Sequence, residues 1–162
     1  TTLNDETEEV CAMLDECLAM RRRWIFRPKL GAEALGTRVP EAMRERMQAQ
    51  LDRSNPREFD LKQVRVGITD IEFMVQYAVL AWSHRLPGLA RWSDNVRILE
   101  TLGREGIFEQ QQCDALTGAY IAYRSAAHQL SLQQQPGIVP AERFVDSRAA
   151  VTEAWTALFT TA

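Results

Sequence analysis

Residues 70–82 read Asp-Ile-Glu-Phe-Met-Val-Gln-Tyr-Ala-Val-Leu-Ala-Trp, and this stretch decides the fold. Its apolar residues recur at spacings of three and four and extend around most of a helix. A helix that is apolar on most sides needs neighbours on most sides, so it belongs at the centre of a bundle. The stretch therefore predicts a central helix that begins at Asp70 and ends before Pro87-Gly88.

Proline and glycine divide the remainder of the chain into further amphipathic segments. Ser93 is the predicted N-cap of the helix after the central one, and Gly103 and Gly106 are expected to close that helix. No repeat of fixed period and no alternation of helix and strand is present. The sequence predicts an all-α fold, a helical bundle of about five or six helices with an irregular loop, over 57–69, before the central helix. The other expected helices span 3–26, 40–51, 93–102, 108–134 and 141–160.

Length and composition restrict the class of protein. The chain has 162 residues, 46% hydrophobic and 25% charged, which is typical of one soluble globular domain. A net charge of −3 argues against a nucleic-acid partner. The densest apolar stretch, 73–82, is too short to cross a bilayer, so no membrane partner is expected. No secretory leader is evident, and a cytoplasmic location is expected. Cys11, Cys17 and Cys113 lack metal-ligand spacing and are interpreted as reduced apolar residues.

Motifs that carry chemistry are missing from the sequence. It has no glycine-rich phosphate loop, no His-Glu-x-x-His, no Gly-x-Ser-x-Gly and no Asp-x-Asp pair. The two histidines, His84 and His128, have no cysteine or carboxylate at ligand spacing and are expected at helix surfaces or boundaries. No catalytic residue and no metal ligand is therefore predicted in this chain.

The approach to the central helix has a structural interpretation. Thr69 and Glu72 have the spacing of a capping box, in which Thr69 is the N-cap and Glu72 bonds back to its amide. Ile68 and Phe73 have the spacing of a hydrophobic staple. Gly67 would provide the backbone bend into the helix.

The same approach also has a functional interpretation, which capping does not exclude. Lys62 is one of only two lysines beside 17 arginines, and capping does not explain it. Lys62 and Arg65, ahead of Gly67 and a helix N-terminus, have the character of an edge that faces nucleotide phosphates. Asp70 would complement the helix dipole or assist a metal ion held mainly by another domain. The residues alone leave capping and an active-site edge equally open.

The run Phe-Asp-Leu-Lys-Gln-Val-Arg-Val-Gly-Ile-Thr-Asp-Ile-Glu-Phe, residues 59–73, carries a family resemblance. It resembles the Lys-x-x-x-Gly-Gly-Ile-x-Asp-Ile-Glu-Phe signature of bacterial glutamine synthetase adenylyltransferase, and the uridylyltransferase of the PII signal protein has a looser version. Segments 91–102 and 119–133, and the segment around Trp155, resemble the continuation in the C-terminal, adenylylating half of that enzyme. The resemblance covers residues 41–162, the bundle domain, whereas residues 1–40, an N-terminal helix and loop, match poorly.

The resemblance implies a function for the whole enzyme. That enzyme moves AMP from ATP to a tyrosine of glutamine synthetase in nitrogen regulation, with ATP and Mg²⁺ as cofactors and with the PII signal protein and glutamine as regulators. Its catalytic carboxylates lie in a nucleotidyltransferase domain upstream of this kind of segment. By resemblance, this chain is a helical domain that lacks the catalytic groups, is inactive alone, and packs on that nucleotidyltransferase domain. The alternative is a regulatory module that binds PII, glutamine or glutamine synthetase away from the ATP site.

Two features stay open at this point. Val66 stands where the signature has its first glycine, and valine tolerates a positive φ poorly, so the loop must differ here if that glycine is required. The run Arg21–Arg23 is either a solvated helix face, the commoner case for a charge run, or a partner contact.

Overall fold

The computed structural model describes residues 45–46, 57–62 and 65–159. In these residues the fold is all-α, as the sequence predicts, with one small sheet beside the helices. Of the predicted helices 3–26 and 40–51, only Glu45 and Arg46 are described, and both are helical. The elements in chain order are strand β1 (Glu58–Asp60), helix α1 (Ile68–Trp82), a 3-10 helix (Pro87–Arg91), helix α2 (Asn95–Arg104), helix α3 (Gln110–Leu132), strand β2 (Ile138–Pro140) and helix α4 (Val145–Phe159).

Helix α1 is the centre of the bundle, as its apolar pattern predicts. It contacts α2, α3 and α4, and α3 packs against both α2 and α4. Burial extends around most of its circumference, because both its hydrophobic stripe and the residues beside that stripe are covered. The buried residues of α1 are Ile68, Asp70, Ile71, Phe73, Met74, Val75, Tyr77, Ala78, Val79 and Ala81.

The two short strands form a small sheet that packs against helix α3. They are antiparallel, with Phe59 opposite Val139 at the middle of the register. Both of these side chains are buried, and the Phe59 ring lies 5.6 Å from the ring of Tyr123 on α3. Burial raises the pKa of the Tyr123 hydroxyl well above its usual range. The sheet therefore adds Phe59 and Val139 to the core, with Phe59 against Tyr123 of α3.

Several predicted boundaries differ from those in the structure. The N-cap of α2 is Asp94 rather than Ser93, because the Asp94 carboxylate accepts the amide of Val96 at 3.1 Å. Gly103 lies inside α2, which ends at Arg104, and Gly106 then takes the left-handed turn at φ 69°.

The last helix begins later than the sequence predicts. It starts at Val145 instead of residue 141, because residues 138–140 pair with β1 and the chain then turns. The turn ends at Phe144, whose φ is 63°. The sequence gives no signal for β2, since three residues are too few to show a period.

Candidate functional site

The loop between β1 and α1 folds back on the first turn of the helix. The amide of Ile68 donates to the carbonyl oxygen of Leu61 at 2.8 Å. The carbonyl oxygen of Lys62 accepts from both the hydroxyl and the amide of Thr69, at 2.6 and 3.3 Å. At the other side, the amide of Leu61 donates to the carbonyl oxygen of Gly137 at 2.9 Å. These bonds hold residues 61–62 between the strand pair and the start of α1.

The predicted capping box is wrong. The helix begins at Ile68, and its N-cap is Gly67, which has extended backbone angles and no side-chain cap bond. Thr69 therefore lies within the helix, where its hydroxyl bonds to the loop rather than to a helix amide. Glu72 accepts a hydrogen bond from Tyr120 on a different helix. The capping prediction fails because tertiary partners engage both side chains.

Asp70 fixes the loop from inside. Its side chain is 4% exposed, and its carboxylate oxygen Oδ2 accepts the amide hydrogen of Val66 at 2.7 Å. A hydrogen bond to a buried carboxylate is among the stronger bonds in a protein, because the acceptor is charged and water is excluded. Asp70 thus stabilises the loop, and its predicted role beside a metal ion stays a prediction.

Val66 stands where the family signature has its first glycine, and it adopts a left-handed backbone conformation that favours glycine. Its φ is 65°, in the left-handed region, and its side chain is buried. A β-branched residue in this region is strained, by about 1–2 kcal/mol for an L-residue. The loop therefore has a left-handed residue at a β-branched position, and Asp70 accepts the amide hydrogen of that strained residue.

The nucleotide-edge candidates are separated into surface and interior groups. Lys62 and Arg65 are exposed, whereas Gly67 and Asp70 are buried. Lys62, Arg65 and Gly67 precede α1, and Asp70 lies in its first turn, where it bonds to the loop. The exposed pair is therefore the part of this loop that another domain can reach, and its role toward phosphate stays a prediction.

Glu72 belongs to a hydrogen-bond network that joins three helices. The hydroxyl of Tyr120, on α3, donates to Glu72 Oε1 at 3.1 Å and accepts from Asn95 Nδ2 at 3.0 Å. Asn95 begins α2, so Tyr120 links α1 to the first turn of α2. Burial is the main reason that the pKa of the Tyr120 hydroxyl is raised. No local pattern in the sequence indicates this network, because Glu72 and Tyr120 are far apart in the chain.

The histidines and the described cysteine hold ordinary positions. His128 is exposed on α3, and His84 is half-buried in the turn after α1. Cys113 is free and buried, and burial, with a smaller effect from Asp114, raises its pKa to about 11.

Among the described residues, no group of three or more His, Cys, Asp or Glu is arranged to hold a metal ion. None of the described helices combines the length and the apolar character needed to cross a membrane.

The fold and the loop together define the class of protein. It is a helical bundle in which a buried aspartate of the central helix bonds to the loop before that helix. A family model described as GlnD PII-uridylyltransferase matches residues 38–136, more than half of the chain. The chain belongs to this family, and it is a helical domain related to nucleotidyltransferases. The matched region includes β1, the Asp70 loop and helices α1, α2 and α3.

Proposed function

We propose that this chain is the non-catalytic helical domain of an enzyme that transfers AMP from ATP to a tyrosine of glutamine synthetase. In this proposal it packs against the nucleotidyltransferase domain of the same protein and supports or regulates that domain. Family membership supports a nucleotidyltransferase context. The adenylyl specificity rests on the Lys62-to-Phe73 signature and on the segments that follow it in order.

One observation carries the proposal, the placement of Lys62 and Arg65. Both cations are exposed on a loop whose backbone is bonded to the first turn of α1 and to Asp70. A short, tied loop presents a charge at a defined position, and nucleotidyl transfer depends on positioning and on neutralising phosphate charge. Lys62 would contact a phosphate of ATP as a point charge, with Mg²⁺ held by the catalytic domain.

The test uses the full-length enzyme, with labelled ATP and glutamine synthetase as the acceptor. Lys62→Ala should lower AMP transfer about tenfold or more, as expected when a contact to a phosphate is lost. Arg85→Ala is the matched control. Arg85 is exposed after the other end of α1, roughly 20 Å away along the helix. Both variants should melt at the wild-type temperature, because neither side chain is buried. Normal transfer by Lys62→Ala would remove this loop from the ATP site.

The same assay distinguishes the two nucleotides. The matched family is described as PII-uridylyltransferase, so UTP with the PII protein is the competing pair. Labelling of glutamine synthetase from ATP supports the proposal, and labelling of PII from UTP instead would replace it with uridylyl transfer. A third result, normal transfer by Lys62→Ala with an altered response to PII or glutamine, would favour the regulatory alternative. Calorimetry with each effector would then show whether this domain binds it.

A further inference from the structure

A groove runs along the seam between α3 and α4, on a different part of the bundle from the Asp70 loop. It consists of two adjoining cavities of about 180 and 500 Å³. Three residues line both cavities, Glu109 and Gln112 at the start of α3 and Glu153 on α4. We call this feature the acidic groove. The larger cavity has the volume of a site that holds a few side chains.

The lining of the acidic groove selects the charge of its occupant. Glu109 and Glu153 are exposed carboxylates, and no lysine or arginine of the described chain lines either cavity. Apolar side chains also line the larger cavity, among them half-buried Trp82 and Leu158. Cations are attracted both to carboxylates and to the face of an indole ring. The groove therefore suits a segment that carries positive charge next to large apolar side chains.

The chain itself contains a stretch with this chemistry, outside the described residues. Residues 21–27 read Arg-Arg-Arg-Trp-Ile-Phe-Arg, four cations around three large apolar residues. Thirty positions separate Arg27 from Arg57, and a fully extended chain of that length spans roughly 100 Å. Helix α3, with 23 residues, is only about 35 Å long. Chain length therefore does not prevent the stretch from reaching any part of the bundle.

We propose that the basic stretch Arg21–Arg27 binds in the acidic groove of the same molecule. The arginines pair with Glu109 and Glu153, and an apolar side chain of the stretch packs against Trp82 and Leu158. In this proposal the run Arg21–Arg23 is neither a solvated helix face nor a contact with another protein, but a contact within the chain. This inference is independent of the reaction that the whole enzyme performs.

Carbodiimide cross-linking of the full chain tests the proposal, because it joins carboxylates to lysine amines without a spacer. The chain has two lysines, Lys29, which is next but one to Arg27, and Lys62. We expect Lys29 to join Glu109 or Glu153 at a yield about fivefold above its yield with Glu100, an exposed carboxylate on α2. Mixing light and ¹⁵N-labelled protein should give mainly products of a single isotope, as an intramolecular contact requires.

A pair of variants separates groove binding from general reactivity. Ala157→Arg places a cation in the groove and leaves both glutamates able to react, and it should lower the Lys29 cross-links about fivefold. Thr152→Arg adds the same charge at an exposed α4 position that does not line the groove, and it should leave them unchanged. Cross-links of Lys62 should be the same in both variants. The proposal is overturned if Lys29 favours Glu100, if Ala157→Arg has no effect, or if mixed-isotope products dominate.

Discussion

Replacing Val66 by alanine and by glycine measures the strain in the loop before α1. Both variants lose buried apolar surface, so both should be less stable than the wild type. At an ordinary backbone position alanine is the more stable of the two by about 0.5–1 kcal/mol, because glycine is freer in the unfolded chain. At φ 65° alanine retains a left-handed penalty of about 1–2 kcal/mol that glycine does not have. Because this backbone penalty is larger than the entropic cost of glycine, glycine should be more stable than alanine, by up to about 1.5 kcal/mol.

Val151 provides the matched control for this comparison. It is fully buried within helix α4, where the backbone is right-handed. There alanine should be more stable than glycine by about 1 kcal/mol, the usual helix preference. The assay is urea unfolding of the full chain, followed by circular dichroism, with the midpoints and slopes compared within each pair. The reasoning is refuted if alanine is more stable than glycine at both positions.

Three further predictions concern buried or half-buried polar groups. Asp70→Ala should lower the free energy of unfolding by about 2–3 kcal/mol, because the amide of Val66 loses its acceptor in the interior. Asp70→Asn should recover part of that loss. Urea unfolding that gives the two variants the same stability would contradict this. Tyr120→Phe should cost about 1 kcal/mol, and Glu72→Gln less, with a double-mutant cycle showing coupling if the two side chains interact as described. Between pH 9.0, the ordinary pKa of a cysteine, and pH about 11, the folded Cys113 thiol keeps its proton whereas the unfolded thiol loses it. The free energy of unfolding should therefore fall by roughly 2 kcal/mol as the pH rises across this range. Cys113→Ala should reduce that fall, and an identical pH profile would show that the thiol is not responsible.

The described α-helices correspond to predicted ones because each carries its apolar periodicity over several turns. The central helix is predicted from Asp70 and begins at Ile68, and the 108–134 prediction corresponds to Gln110–Leu132. Errors concentrate at ends and in short elements, where one hydrogen bond decides the outcome. The shift of the α2 N-cap to Asp94 is one such case, since Ser93 and Asp94 are both good cap residues.

The candidate site was predictable in its location but not in its chemistry. The pattern of Lys62, Gly67, Asp70 and Glu72 marks the loop before α1 as unusual. Nothing in that pattern shows that Asp70 points inward to the amide of Val66, or that Glu72 bonds to another helix. A local motif is compatible with both capping and tertiary bonding, and burial decides between them.

The order of amino acids by itself determined the all-α class and the central position of α1, because a helix that is apolar on most sides must be covered by neighbours. Tertiary structure alone decided which groups the motif side chains bond to. The bond between Glu72 and Tyr120 spans 48 positions of the chain, and the β1–β2 pair joins residues still further apart. Local periodicity extends over only a few turns, so contacts at such separations appear only when the helices pack and exclude water from the groups between them.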